Sequence, residues 1–215
     1  MVIFIVQIIA AAAIGYLLGS LNTSIIVGRF YGTDIRKHGS GNAGMTNTLR
    51  TLGKAAAVMV IIGDILKGVI SFLIGNLLIG TVPDSITLNI AGIGGMAGGI
   101  AAIAGHNWPV YFGFKGGKGI LTSFSVVMMM DWKLGLILLG IFLVIVALTR
   151  YVSLGSIIAS VAFPVAAFIK GNSPVFVIFS AVLAALAIAR HSANIKRLLN
   201  GTEAKLGSKK KSKTV

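Results

Sequence analysis

What most restricts the folds open to this chain is a succession of apolar runs, several of them long enough to cross a lipid bilayer and nearly free of charge. A hydrocarbon core of about 30 Å is crossed by about 20 helical residues at about 1.5 Å each. Seven stretches fit that reading, at roughly 3–28, 55–80, 86–105, 117–131, 133–149, 154–169 and 174–189. With 56% hydrophobic and 11% charged residues, the sequence lies far from a soluble domain, in which about a quarter of the residues carry charge. The expected fold class is an all-α polytopic membrane protein, a seven-transmembrane-helix bundle. The fourth stretch is the short one: Gly117 to Asp131 makes only about 22 Å of helix, so a kinked, re-entrant or little-tilted segment is expected there.

Basic residues orient the bundle. Sixteen of the nineteen fall in the loop after the first run (Arg29, Arg36, Lys37, Arg50, Lys54), the loop after the third (Lys115, Lys118), the turn after the fifth (Arg150) and the region from Arg190 onward. Lys133 and Lys170 lie at the opposite ends, and Lys67 lies inside the second run. The positive-inside rule then puts the N-terminus outside and the C-terminus in the cytoplasm, with the fourth stretch crossing fully to keep the parity. Met1 is followed at once by apolar residues with no basic lead, so the first run reads as a retained span and not a cleaved leader. The chain has no cysteine, which excludes disulfides and thiol nucleophiles. Its net charge of +14 sits on one membrane face without a nucleic-acid motif, which points to anionic lipid and anionic substrates and to no nucleic-acid partner.

Polarity on that face is gathered in three islands. GSGNAGMTNTLR (Gly39 to Arg50) offers Gly39, Gly41, Ser40, Asn42, Asn47 and Arg50. Its glycines allow sharp turns and close backbone approach, and arginine is a planar cationic fork that matches phosphate oxygens. GHNWPVYFGFKGGKG (Gly105 to Gly119) is no Walker loop, because Gly119 follows Lys118 where a Ser or Thr is needed to hold magnesium. Gly116, Gly117 and Gly119 are nonetheless expected to present N–H groups to an anion at the start of a helix, with Lys118 adding a point charge. In RHSANIKRLLNGTE (Arg190 to Glu203), a helix continuing past Arg190 sets His191, Asn194 and Ile195 on one side. All three histidines, His38, His106 and His191, lie in these islands or, for His38, directly before the first, and Glu203 reads as the partner of a basic neighbour.

Between the islands, Asp64 and Lys67 stand three apart on one helical face, where intramembrane charges pair, and they are placed to brace a cytoplasmic site. Ser153 and Ser156 open the sixth span, either as caps or as hydroxyls for a polar ligand. The third run places Ala91, Gly95 and Gly99 four apart, a spacing that lets helices approach closely in lipid. One helical domain is expected over residues 1–195, with site loops at about 29–54, 105–119, 150–156 and 190–195, followed by a basic, partly disordered tail at 196–215. The five acidic residues do not cluster with the histidines, so no metal and no cofactor are expected.

These three motifs, in this order and between these helices, resemble the signature loops of the bacterial acyl-phosphate-dependent glycerol-3-phosphate acyltransferases, the PlsY family. The similarity runs from YLLGS (Tyr16 to Ser20) to Glu203 and includes GDILKG (Gly63 to Gly68) and RYVSLGS (Arg150 to Ser156). It implies a seven-helix membrane bundle with a cytoplasmic active site in a bacterial plasma membrane. It also implies the reaction: an acyl group moves from acyl phosphate to the 1-hydroxyl of glycerol 3-phosphate, giving lysophosphatidic acid and phosphate, the first step of phospholipid synthesis. By the same resemblance Ser40, Arg50, Lys118, Ser156, His191 and Asn194 are catalytic or glycerol-phosphate-holding groups, and Gly116, Gly117 and Gly119 belong to the acyl-phosphate loop. The chain departs from the family pattern at Ala43, where proline is common, and at Asn22 and Thr23, where a proline–aromatic pair is common.

The chemistry agrees with that implication. An acyl phosphate is a mixed anhydride with a good leaving group, so positioning can supply much of the catalysis, with effective molarities of up to about 10⁵–10⁸ M in the best cases. Direct attack by the glycerol hydroxyl needs only a proton acceptor, either a substrate phosphate oxygen or His191; an acyl-Ser40 intermediate is the lesser alternative. The HxxxxD pair of CoA-dependent acyltransferases is absent, since Ala43, Tyr111 and Lys196 stand five positions after the histidines. A transporter of anions or organic phosphates is the alternative class, and it requires polar groups near the midplane. A monomer is expected.

Overall fold

Long apolar runs of this kind fold as long helices, and in the computed structural model, which describes residues 1–80 and 92–207, every regular element is helical. The helices are α1 (Val2–Ser20), α2 (Thr23–Phe30), α3 (Met45–Leu52), α4 (Lys54–Ile79), α5 (Ile93–Asn107), α6 (Ile120–Met130), α7 (Trp132–Thr149), α8 (Val152–Ile169), α9 (Pro174–Arg190) and α10 (Ser192–Leu199). Single 3-10 turns occupy Ile35–Lys37 and Val110–Phe112. Among the described residues, four helical stretches are long and apolar enough to cross a membrane: Val2–Phe30, α4, α7 and α8. Helix α9 joined to α10 makes a fifth if that bent pair is one span.

The outside of the bundle is apolar and part of its inside is polar. Leu73, Leu77, Val144, Leu148 and Phe168 are exposed, while Ser20, Ser24, Thr48, Asp64, Lys67, Ser71 and His106 are buried. A greasy surface of that extent is intolerable in water and expected in lipid.

Two packing regimes build the interior. Helix α5 presses backbone to backbone on α1 and α4. A Cβ at Gly19 would lie 2.0 Å from the Ala102 carbonyl oxygen, one at Gly105 2.2 Å from that of Tyr16, and one at Gly75 2.0 Å from that of Gly94. Without a hydrophobic effect between helices, such close van der Waals approach is what holds spans together. Of the predicted small-residue stripe, Ala91 lies outside the described residues. Gly95 and Gly99 receive the side chains of Phe72 and Val126, and Gly94, Gly98 and Ala102 make the backbone contacts. Helices α6 to α9 pack conventionally, through Val127, Leu134, Leu138, Phe163, Phe176 and Leu183.

Four expectations are corrected. The first run is not one helix: α1 ends at Ser20 and α2 starts at Thr23, because the Asn22 side chain accepts the Ile25 N–H at 3.2 Å and its Nδ2 donates to the carbonyls of Ala43 in the first loop and His106 at the end of α5. A carboxamide that offers the backbone such partners competes with the helix ladder. The fourth run begins at Ile120, not Gly117, since Gly119 adopts φ +72° and caps an 11-residue α6 of about 16 Å. The first island, read as a loop, contains α3, which ends with Arg50 in its last turn. No single helix continues past Arg190: α9 and α10 meet at 61°, with His191 at φ −98°, ψ 6° between them. The expected tail boundary at residue 196 falls within α10. The predicted start of the third run, residues 86–91, lies outside the described residues.

Candidate active site

The three islands converge on one cavity of about 1410 Å³. Its mouth is polar, lined by Ser40, Asn42, Arg50, Lys118, His191, Asn194 and Glu203, and its depth is apolar, lined by Phe124, Val127, Leu138, Phe142, Phe163 and Leu183. All three histidines reach its wall, as do the predicted Gly39, Asn47, Gly119 and Ser156. Gly41, Gly116 and Gly117 do not.

The first loop is held by a buried amide. Asn47 Oδ1 accepts the Ser40 N–H at 2.9 Å, and its Nδ2 donates to the carbonyls of Ile35 and His38 at 3.1 and 3.0 Å. Both Nδ2 protons of Asn47 and one lone pair of its Oδ1 are therefore spent on the loop, which makes it a staple. Gly39 is required beside it, because at φ +59° a Cβ would lie 2.2 Å from Asn47 Oδ1. Arg36, tied to Asp34 at 2.8 Å, also donates to the Phe112 carbonyl and so ties the first loop to the second. That bonding holds the Asp34 carboxyl down at about 2.

The second loop is folded against the end of α5. The Gly117 N–H donates to the His106 carbonyl at 3.0 Å and the Gly116 N–H to that of Asn107 at 3.3 Å. This corrects the expectation that these two N–H groups face an anion: the last carbonyls of α5 lack helical donors and take them. What remains for an anion is the start of α6 after Gly119, together with Lys118. Arg190 donates twice to the Gly117 carbonyl, at 2.8 and 3.1 Å, and stacks 5.3 Å from the Trp108 ring centroid, so the third island pins the second.

A chain of bonds crosses the mouth. Lys118 Nζ donates to Asn194 Oδ1, and Asn194 Nδ2 donates to Glu203 Oε1 at 2.7 Å. Glu203 also accepts from Ser153 Oγ and Arg197 Nε, each at 2.6 Å. Ser153, not Ser156, is thus the serine in the polar network; Ser156 Oγ bonds the Val152 carbonyl at 3.0 Å, although both line the cavity. Burial pushes the Lys118 ammonium down to about 8, with Glu203 opposing and Arg197, Arg190 and Arg50 reinforcing. Burial raises the Glu203 carboxyl, but its donors outweigh that and hold it below the usual range. Burial, then Lys118, pushes His191 down to about 4. Its Nδ1 is 2.7 Å from the Ala187 carbonyl, which fixes the neutral tautomer with the proton on Nδ1 and leaves Nε2 as an acceptor. Arg50 Nη2 bonds the Ala204 carbonyl at 3.0 Å, closing the C-terminal strap over the opening. From the sequence, Glu203 is a pairing residue, which its ion pair with Arg197 bears out, and Ser153 and Ser156 stay undecided between them; Arg197 at the mouth and the join of His106 to Lys67 are not foreseen.

A membrane protein helical throughout its described residues, with a large cavity that is cationic at its mouth and largely apolar beyond it, is built to take an anion joined to a hydrocarbon chain. The family model described as glycerol-3-phosphate acyltransferase matches residues 9–201, and the chain belongs to that family. It is 50% identical over 202 residues to the glycerol-3-phosphate acyltransferase of Thermoanaerobacter sp. (strain X514), covering 94% of this chain and 96% of that one. It is 44% identical over 207 residues to that of Clostridioides difficile (strain 630), covering 94% and 97%. The fold matches the crystal structure of PlsY (YgiH), an integral membrane glycerol 3-phosphate acyltransferase, in its glycerol 3-phosphate form, with a TM-score of 0.84, 36% identity and coverage of 93% and 96%. The lysophosphatidic acid form of PlsY matches with a TM-score of 0.81 at the same identity, covering 93% and 95%.

Proposed function

We propose that this protein transfers a fatty acyl group from acyl phosphate to the 1-hydroxyl of glycerol 3-phosphate, releasing lysophosphatidic acid and phosphate on the cytoplasmic face of a bacterial plasma membrane. The observation that carries the reading is the cavity in which Arg50, Lys118, His191 and Asn194 meet an apolar wall of Phe124, Leu138 and Phe163. One substrate is a soluble phosphate and the other a phosphate on a hydrocarbon chain, and each part of the cavity suits one of them. Membership of the glycerol-3-phosphate acyltransferase family favours acyl transfer over a transporter, and most of the charged lining stands near helix ends, Asp64 within α4 being the exception.

The bonds exchange as follows. The glycerol oxygen attacks the acyl carbonyl carbon, the bond from that carbon to the phosphate oxygen breaks, and phosphate departs with the electron pair. Lys118, the start of α6 and Arg50 hold the two phosphates, and Ser40 and Asn194 orient the glycerol. His191, held neutral, accepts a hydrogen bond from the other free hydroxyl of the glycerol and so orients the attacking one, whose proton passes to a substrate phosphate oxygen.

Seven crossings, with the N-terminus outside and the C-terminus in the cytoplasm, fit the helix ends at the cavity mouth. The pair α1–α2, α5, α7 and α9 end there, and α4, α6 and α8 begin there, an alternation that supports counting the short α6 as a crossing. Purified protein in detergent with acyl phosphate and labelled glycerol 3-phosphate is expected to yield lysophosphatidate, with acyl-CoA unable to substitute. Absence of product from folded protein overturns the assignment.

A further inference from the structure

Three ionisable side chains that the proposed transfer does not use are buried together between α4 and α5. Asp64 is 2%, Lys67 6% and His106 3% exposed. Lys67 Nζ lies 2.8 Å from Asp64 Oδ1, 2.8 Å from His106 Nδ1 and 3.4 Å from the Leu21 carbonyl oxygen, freed where α1 breaks. An ammonium is a donor only, so His106 Nδ1 accepts and the ring proton is on Nε2. A buried pair of this kind seldom adds stability over apolar residues of similar size, so its presence calls for another reason.

That reason lies at the other edge of the imidazole. The ring seats Gly117: a Cβ there would come 2.2 Å from His106 Nε2 and 2.3 Å from the Ala43 carbonyl oxygen. The backbone of His106 takes the Gly117 N–H at 3.0 Å and the Asn22 Nδ2 at 3.4 Å, and the same Asn22 Nδ2 reaches the Ala43 carbonyl at 3.5 Å. The first loop, the second loop and the break in the first span therefore meet at one histidine, whose ring is held by Lys67 and balanced by Asp64. Gly117 immediately precedes Lys118.

We propose that Asp64, Lys67 and His106 are positioning residues that set the seat of Gly117, and through it the place of Lys118 and the start of α6, relative to the first loop. This rests on the reading that the second loop holds acyl phosphate. Its mark is selective: the cluster acts on the second loop and leaves the Arg50 side of the cavity in place.

The test uses full-length protein in detergent, with KM measured separately for acyl phosphate and glycerol 3-phosphate. D64N/K67M removes both charges together, avoiding a lone buried ion, and H106A removes the seat. Each is expected to raise the acyl-phosphate KM on the order of tenfold, the loss of one well-placed charged contact, with the glycerol 3-phosphate KM changed less than about twofold. H106N, which restores an acceptor to Lys67, is expected to recover part of the loss. An unchanged acyl-phosphate KM in folded variants, or an equal rise in both KM values, overturns the proposal; if D64N/K67M does not fold, H106A against H106N decides it. K118M keeps the two readings apart. If it leaves the acyl-phosphate KM unchanged while the cluster variants raise it, the assignment of Lys118 fails and the positioning of the loop stands.

Discussion

Replacing His191 with Gln separates two ways of moving the hydroxyl proton. In the folded protein this imidazole is 2% exposed, its Nδ1 proton is committed to the Ala187 carbonyl at 2.7 Å, and its pKa is pushed down to about 4. A phosphate monoester has a second pKa of about 6, so a substrate phosphate oxygen is roughly a hundredfold the better proton acceptor. His191 then contributes an orienting hydrogen bond, accepted from the other free hydroxyl of the glycerol and worth about 0.5–1.5 kcal/mol, or about 2- to 13-fold in kcat/KM. Gln reaches the Nε2 position with a carbonyl oxygen, so H191Q is expected to keep turnover within about tenfold of the parent. A general base contributes about 10²–10⁴-fold. The assay is steady-state turnover in detergent at pH 7, with glycerol 3-phosphate binding and thermal unfolding measured on the same samples. A loss of kcat of about 10² or more, with binding and melting intact, refutes the phosphate-acceptor mechanism and makes His191 the base.

Because burial leaves Lys118 with a pKa of about 8, its charge is present below that pH and lost above it, so kcat/KM for acyl phosphate is expected to fall as pH rises past about 8. In K118R, a pH–rate series should show that alkaline limb displaced upward, since guanidinium stays charged. In the packing of α4 on α5, a Cβ at Gly98 would lie 2.3 Å from the Ser71 carbonyl oxygen, whereas one at Gly140 in α7 meets nothing within 4 Å. G98A is expected to cost about 1–3 kcal/mol by overpacking and to lower the melting temperature in detergent, while G140A leaves it unchanged or raises it.

Much of this arrangement was legible in the sequence because lipid imposes length and side on a chain. Runs at 55–80, 133–149, 154–169 and 174–189 became α4, α7, α8 and α9 with bounds shifted by at most two residues at either end. The islands were legible for the same reason, since a glycine-rich cationic segment between apolar runs has no place in hydrocarbon. What was not legible depends on distant contacts. Asn22 looks like an ordinary polar residue within an apolar run, and only carbonyls contributed from residues 43 and 106 reveal why the helix breaks there. Gly116 and Gly117 read as anion donors because their neighbours in sequence suggest it, yet the unpaired end of α5 takes their N–H groups first. Asp64 and Lys67 were paired correctly from their spacing, but the third member, His106, is 39 residues from Lys67 and shares no periodicity with it.

Glu203 shows how a cationic mouth can remain ordered. Lys118 is surrounded by Arg50, Arg190 and Arg197, whose charges all work against its own. One carboxylate at the centre offsets that repulsion, and it also fixes the amide of Asn194: Nδ2 is drawn to Glu203, so Oδ1 must face Lys118. An amide turned the other way would point its N–H groups at an ammonium and lose both bonds. The lysine is thereby aimed along the mouth by one of its three donors, leaving two for phosphate oxygens. Ser153 and Arg197 in turn anchor the carboxylate from α8 and α10, so the bend of 61° between α9 and α10 is what brings Arg197 and Glu203 back over the opening. A straight helix continuing α9 would carry both away from Lys118, and the aim of the one point charge in the second loop would be lost with them.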